Sequence, residues 1–373
     1  MSFSDFDRQM MTLALRMARR GWGATAPNPS VGAVIADETT GEVIARGVTQ
    51  PGGRPHAEVE AFSRAGARAR GATLYVTLEP CAHHGKTPPC AEAALAAGVS
   101  RVVIGVEDPD LRVAGQGISL LRDAGVRVDV GLMADEARWV TLGHILRVTE
   151  QRPFVQLKMA LAADGTVPRG ADGRAVFVTG PEARAQGHLL RAEADAILVG
   201  GATARDDDPE LTCRLPGLAP RSPIRVVLSR TLDLSPRLKL VRTAGEMPVW
   251  VLTGDDADAE RVRELEEAGV QVLQRPLVAG HVGMRDVLAA LADAGVTRLL
   301  VEGGAGVWRA FAAERLVDEV VIFQAGLGAA EERDTAALAD RYAPGLDLAR
   351  VAARWAGPDL ITVFRTATAA RST

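Results

Sequence analysis

Cysteine is scarce in this chain, three in 373 residues, and aromatic residues make up only 4% of it. So few thiols cannot build the disulfide framework of a small secreted domain, and with no apolar leader the expectation is a reducing, cytoplasmic setting. The stretch 1–20 carries acidic residues and helically spaced apolar ones (Met10, Leu13, Ala14, Met17) where a signal peptide would have an unbroken apolar centre. Few aromatics and a net charge of −4 argue against a basic, base-stacking surface, so no nucleic-acid partner is expected. No apolar run reaches the length a bilayer needs, so no membrane partner is expected either. What the chain does have is core material, 47% hydrophobic against 24% charged, and a length that suits two domains.

Helix and strand signals alternate throughout, which predicts an α/β protein with parallel or mixed sheets. In the first half the order is helix 5–20, strands 31–36 and 43–48, a helix from His56, a strand over 72–78 and a helix from Cys90. A strand over 101–105, a helix after Gly117, a strand over 126–130 and a helix over 136–149 follow. Sheet and helices of this order form a three-layer sandwich. Glu150-Gln151-Arg152-Pro153 is charged, polar and ends in proline, which marks a boundary between domains at 1–149 and 153–369. A strand over 154–159 opens the second half.

His56-Ala57-Glu58, then Pro80-Cys81, then Cys90 behind Pro88-Pro89, has the composition of a hydrolytic zinc site. One imidazole and two thiolates leave a fourth tetrahedral position for water, and a carboxylate two residues from the histidine can move that water's protons. The spacing predicts His56 and Glu58 in the first turn of one helix, Cys81 on a strand exit, and Cys90 at a helix N-terminus, where the macrodipole favours its thiolate. Zinc deaminases carry His-x-Glu followed by Pro-Cys-x-x-Cys; here eight residues separate the cysteines instead of two. A structural zinc site with His83 or His84 as fourth ligand is the competing assignment. Cys213 reads as an ordinary, partly buried residue.

The second half has weaker signals. Strand 299–301 runs into Glu302-Gly303-Gly304-Ala305-Gly306 and a helix from Val307, a turn in which phosphate oxygens can approach backbone N–H groups; a tight turn with no ligand has the same appearance. Upstream, the strand over 196–201 leads to Thr203 and to Asp206-Asp207-Asp208-Pro209, read as a helix-capping, solvated turn in preference to a divalent-metal site.

The string Pro27-Asn28-Pro29-Ser30-Val31-Gly32, His56-Ala57-Glu58, and the run from Glu79-Pro80-Cys81 through His83-His84-Gly85-Lys86-Thr87-Pro88-Pro89-Cys90 resembles the bifunctional deaminase/reductase family of riboflavin biosynthesis. In the second half Lys158, Asp164-Gly165, Arg191, Thr203, Asp207-Asp208-Pro209, Leu211-Thr212, Arg214 and Glu302-Gly303-Gly304 resemble that family's reductase domain. The resemblance implies a cytidine-deaminase-like sandwich followed by a dihydrofolate-reductase-like domain. It implies zinc-dependent removal of the 2-amino group of 2,5-diamino-6-(5-phosphoribosylamino)pyrimidin-4-one, then NADPH-dependent reduction of the ribosyl group to ribityl. Carried over residue by residue, His56, Cys81 and Cys90 are the ligands of one zinc per chain and Glu58 the proton shuttle. Asn28 and Lys86 meet the deaminase substrate. Ala160, Thr203, Asp207, Gly304, Ala305 and Gly306 meet NADPH, and Lys158, Arg191, Leu211, Arg214 and Glu302 the reductase substrate. Arg191 and Arg214 offer guanidinium forks for its phosphate. A homo-oligomer is expected.

Three positions depart from the family's pattern: Ala175 stands where a serine is usual, Phe177 where a tryptophan is common beside the cofactor, and Asp110 where an asparagine is common. A deaminase whose second domain has lost activity, and a nucleic-acid or nucleobase deaminase, are the alternatives.

Overall fold

In the first unit the apolar residues of each strand divide cleanly between two faces, and helices cover both. A computed structural model describes residues 3–85, 88–171, 173, 176–326 and 335–366. The chain divides into two units, one ending at Arg152 and the other beginning at Pro153. The first unit runs α1 (Asp5–Arg19), β1 (Gly32–Asp37), β2 (Glu42–Val48), α2 (Ala57–Ala65), β3 (Thr73–Leu78), α3 (Cys90–Ala97), β4 (Arg101–Val106), α4 (Gln116–Asp123), β5 (Arg127–Val130) and α5 (Ala134–Glu150). Its sheet has the order β2-β1-β3-β4-β5, with β3, β4 and β5 parallel and β1 antiparallel to both its neighbours. Ala33, Ile35, Leu74 and Ile104 pack against Ala61 of α2, Ala94 of α3 and Leu121 of α4. Val34, Tyr75 and Val103, one residue out of step, pack against Met11 and Ala14 of α1 and Ala137 of α5. This is the three-layer sandwich. Away from the strands' carboxyl ends, the buried Arg101 bonds Asp7 of α1 (2.7 Å) and Asp129 of β5 (2.7 Å), tying helix to sheet.

The second unit continues with β6 (Phe154–Leu161), α6 (Pro181–Ala192), β7 (Ala196–Gly200), α7 (Gly201–Asp207), β8 (Ile224–Leu228), α8 (Lys239–Arg242), β9 (Val249–Gly254), α9 (Ala259–Glu267) and β10 (Gln271–Arg275). It closes with α10 (Met284–Asp293), β11 (Arg298–Val301), α11 (Ala305–Ala313), β12 (Glu319–Gln324), α12 (Thr335–Tyr342), β13 (Leu348–Ala356) and β14 (Asp359–Thr366). The nine strands have the order β10-β9-β8-β7-β11-β6-β12-β14-β13; all pairs are parallel except those made by β14. Ala204 of α7 packs on the same face as Ile197 and Val199, whereas Trp308 and Phe311 of α11 pack on the other, with Leu198 and Val301. The helices that follow the neighbouring strands β7 and β11 therefore leave to opposite sides, which opens a crevice at their carboxyl ends.

Three local expectations change. His56 is the N-cap of α2 and not a helical residue. Helix α11 begins at Ala305, two residues before Val307, so Ala305 and Gly306 form its first turn. Of the 206–208 aspartates only Asp208 is the helix-capping turn residue, in the left-handed region at φ 39°, whereas Asp206 and Asp207 lie in the last turn of α7. Asp208 Oδ1 then accepts the Lys239 N–H (2.7 Å), supplying the start of α8 with an acceptor. Among the described residues no helix is long and apolar enough to cross a membrane.

Candidate functional site

The carboxyl end of β3 and the first turns of α2 and α3 bring His56, Cys81 and Cys90 together. Among the described residues these three form the one group of metal-binding side chains, with ligand atoms all within 4.8 Å of one another. His56 Nδ1 lies 3.3 Å from Cys90 Sγ and 3.7 Å from Cys81 Sγ. A tetrahedral zinc with sulfurs at ~2.3 Å and an imidazole nitrogen at ~2.0–2.1 Å sets nitrogen and sulfur about 3.6 Å apart, so the donors fit that ion. His84 bonds the exposed Glu92 (3.0 Å), and neither it nor His83 joins the group, which leaves the structural-site alternative without its fourth ligand.

Two sulfurs this close cannot both keep their ordinary proton affinity. The hydrogen bond from Cys90, against the rise that burial brings, holds the Cys81 thiol down at about 4. Its counterpart, together with burial, pushes Cys90 well above the ordinary value. The first N–H of α3, that of Cys90, donates to Cys81 Sγ (3.3 Å), so the helix terminus serves the neighbouring sulfur. Hydrogen bonding to Cys81 raises His56.

Glu58, 3% exposed, lies two residues after His56, in the first turn of α2, and burial pushes its carboxyl up to about 7. The first turn of α2 lies directly on β2: a Cβ on Gly47 would sit 2.0 Å from the Ala57 carbonyl, so only glycine permits this approach. Asn28 Nδ2 donates to the Gly53 carbonyl (2.8 Å) and stands 3.5 Å from His56 Nε2, which places the amide beside the triangle. Lys86 lies outside the described residues.

Glu79 was not among the expected residues. Its buried carboxylate accepts the N–H groups of Asp108 (3.3 Å), Gly115 (3.0 Å), Gly117 (3.0 Å) and Ile118 (3.2 Å), tying the exit of β3 that carries Cys81 to the 107–115 loop and the first turn of α4. A Cβ on Gly117 would meet the Pro80 carbonyl at 2.0 Å. The available signal was a glutamate between an apolar strand and Pro80-Cys81. In the same loop Arg112 Nε bonds both oxygens of Asp110 (2.9 and 3.1 Å) and holds its carboxyl down at about 2, so the residue standing for an asparagine brings its own counter-ion.

In the second unit Arg191 of α6 and Glu302, just past β11, form a two-bond ion pair (Nε to Oε1 and Nη2 to Oε2, both 2.7 Å), and Arg191 Nη1 donates to the Thr212 carbonyl (3.0 Å). Burial alone would raise Glu302; Arg191 and Lys158 outweigh it and bring the carboxyl to about 2. Burial lowers Lys158, whose Nζ lies 5.3 Å from the Phe323 ring centre. Lys158 and Ala160 alternate on β6 and so share one face. A Cβ on Gly304, at φ 75°, would come 3.2 Å from Thr203 Oγ1, which places the α11 turn beside α7 across the crevice. Ala305 and Gly306 hold first-turn positions, whose N–H groups a helix leaves without intrahelical acceptors. Asp207, one turn after Thr203, lies 3.4 Å from Arg169 Nη1.

The surroundings of the remaining expected residues bear on their roles. Arg191 spends its fork on Glu302 and Thr212, with side-chain exposures of 15% and 9% for the pair; freeing it would strand a buried carboxylate at a cost of about 3–5 kcal/mol. Arg214 pairs with Glu210 (3.0 Å) with both side chains 47% exposed, a contact worth about 0–1 kcal/mol that a phosphate can displace. Leu211 packs its side chain in the core beside Ala204 and Val227, so only its backbone can face a ligand. Phe177 is 80% exposed, and Ala175 lies outside the described residues. Cys213 is buried and free.

Residues 4–106 match the cytidine and deoxycytidylate deaminase zinc-binding region, and residues 153–333 match the RibD C-terminal domain. The riboflavin biosynthesis protein RibD of Aquifex aeolicus is 39% identical over 319 residues, 86% of each chain. That of Escherichia coli is 39% identical over 329 residues, 85% of this chain and 87% of the relative. The crystal structure of a diaminohydroxyphosphoribosylaminopyrimidine deaminase/5-amino-6-(5-phosphoribosylamino)uracil reductase from Thermotoga maritima superposes with a TM-score of 0.80 at 30% identity, over 97% of this chain and 99% of that one. The chain belongs to the RibD family of riboflavin biosynthesis proteins, in which a zinc-binding deaminase unit is joined to a reductase unit.

Proposed function

We propose that residues 1–149 deaminate 2,5-diamino-6-(5-phosphoribosylamino)pyrimidin-4(3H)-one by hydrolysis, and that residues 153–369 reduce the ribosyl group of the resulting 5-amino-6-(5-phosphoribosylamino)uracil to ribityl with NADPH. The observation that carries this is the His56, Cys81, Cys90 triangle with the buried Glu58 carboxyl beside it. His56, Cys81 and Cys90 would hold one zinc per chain, which would lower the pKa of a bound water to about 7. Glu58 takes a proton as water adds at C2 and returns it to the departing nitrogen, which leaves as ammonia. Asn28, fixed by the Gly53 carbonyl, orients the pyrimidine, and Lys86 meets its phosphate.

In the second domain Ala160, Thr203, Asp207 and the Gly304, Ala305, Gly306 turn, around the crevice at the ends of β7 and β11, would hold NADPH, which would supply the hydride. This is where an open α/β sheet binds ligands, outside the carboxyl ends of the strands where the connections reverse. The chain aligns the nicotinamide with C1′ of the sugar. Lys158 faces the sugar, Glu302 accepts hydrogen bonds from it, and Arg214 meets its phosphate, with Arg191 holding Glu302 in place. The protein acts in the cytoplasm on small phosphorylated pyrimidines, without nucleic-acid or membrane partners, as a homo-oligomer.

Incubation with the diaminopyrimidine ribotide, with and without NADPH, followed by mass analysis, tests both steps. Without NADPH the product has an oxygen in place of one amino group; with it, two further hydrogens. Recovery of unchanged ribotide overturns the deaminase assignment, and a deaminated product that never consumes NADPH overturns the reductase assignment.

A further inference from the structure

We infer that His188 is a positioning residue of the reductase site: with Arg191 it clamps the 211–214 segment onto α6 and so presents the Arg214 guanidinium to the substrate's phosphate. The inference rests on the reductase assignment above. His188 and Arg191 are three residues apart on α6 and share a face. The Arg214 N–H donates to His188 Nδ1 (3.3 Å), and two residues earlier the Thr212 carbonyl accepts from Arg191 Nη1 (3.0 Å). Alternate backbone groups of one short segment are thus tied to one helix face.

The segment needs such ties. Leu211, at its start, stands at φ 56°, a left-handed conformation that a bulky side chain adopts only where its surroundings over-determine it. Its side chain is 2% exposed in the core, which anchors the segment from below while α6 holds it from the side. To accept the Arg214 N–H, His188 Nδ1 must be unprotonated. Burial, then the charges of Arg191 and Arg214, keep His188 below the ordinary histidine range. With Arg191 committed to Glu302 and Thr212, Arg214 is left as the fork whose ion pair lies in solvent. His188 fixes the backbone from which that fork extends.

The test measures steady-state reduction by the full-length chain with the phosphorylated ribosylaminouracil and with its dephosphorylated counterpart, together with deaminase activity. His188→Phe, which keeps a ring and removes the acceptor, is expected to raise KM for the phosphorylated substrate about tenfold with kcat little changed, and to leave KM for the dephosphorylated one as it was. His188→Asn, whose amide oxygen takes the place of Nδ1, restores the phosphorylated KM. Arg214→Ala shows the same phosphate-selective loss, and the double variant His188→Phe/Arg214→Ala loses no more than Arg214→Ala alone, since the two act through one contact. Equal losses on both substrates, a loss confined to kcat, additive losses in the double variant, or no rescue by asparagine would overturn the assignment. If the unaltered chain reduces neither substrate, the reductase assignment has failed and the clamp falls with it.

Discussion

In the first unit His56, Cys81 and Cys90 crowd three donors together in a set that an ion completes, whereas in the second unit Arg191 and Glu302 complete one another. The difference decides what a substitution does. Removing one donor from the triangle weakens the hold on an ion without stranding a charge, so activity is lost before stability. Removing one member of the Arg191–Glu302 pair leaves a buried charge without its counter-ion, so stability and activity fall together. Burial pushes the Glu58 carboxyl beside the triangle up to about 7, whereas Arg191 and Lys158 outweigh burial at Glu302 and hold its carboxyl at about 2.

The largest expected effect is on deamination. Glu58→Gln keeps the zinc and lowers the rate by about 10²–10⁴, while reduction of supplied deaminated substrate is unchanged; metal analysis beside the two assays checks this. Cys81→Ser loses zinc and deamination together. If reduction fell in step with deamination in either variant, the independence of the two sites would be broken.

Next comes Glu302→Ala, which leaves Arg191 unpaired and is expected to destabilise the second unit by about 3–5 kcal/mol in urea unfolding, with zinc content untouched. The pH dependence sharpens the point. Glu302 falls from the ordinary 4.5 to about 2 on folding, and because the folded value is the lower one, its stabilisation is complete above pH 4.5 and is lost as pH drops toward 2. The amount is on the order of 3 kcal/mol, and Glu302→Gln should remove that part of the acid limb. An acid limb of the same slope in both proteins would contradict it.

A smaller effect tests the tie between Cys81 and the first turn of α4. Gly117→Ala puts a methyl against the Pro80 carbonyl, with an expected cost of about 1–3 kcal/mol and a fall in deamination alone. Retained deamination with a lowered melting temperature would mean that the tie supports the fold without placing the ligand.

The same contrast explains what could be read from the chain. His56, Cys81 and Cys90 sit at the beginnings and ends of short, strongly patterned elements, so periodicity and the prolines before His56 and Cys90 located them. The order of helix and strand signals along the first half likewise made the sandwich legible. The second site is assembled from afar: Arg191 and Glu302 are 111 positions apart, and neither has a local pattern that reveals its partner. A guanidinium in a sequence looks available for phosphate until a carboxylate is found on it. Glu79 was hidden for a related reason, since its partners are backbone N–H groups 29 to 39 residues later, in a loop and the first turn of α4. The helix-capping turn assigned to 206–208 holds for Asp208, which ends one helix while serving the start of another, but the stretch after the double glycine is helical through Asp207 despite its aspartates.

The most direct test of the account is X-ray absorption at the zinc edge on the full-length protein. The account predicts one zinc per chain with two sulfur neighbours at about 2.3 Å, one imidazole nitrogen at about 2.0–2.1 Å and one light atom from solvent in the fourth position. A shell of four protein donors, or zinc bound without sulfur, would contradict it.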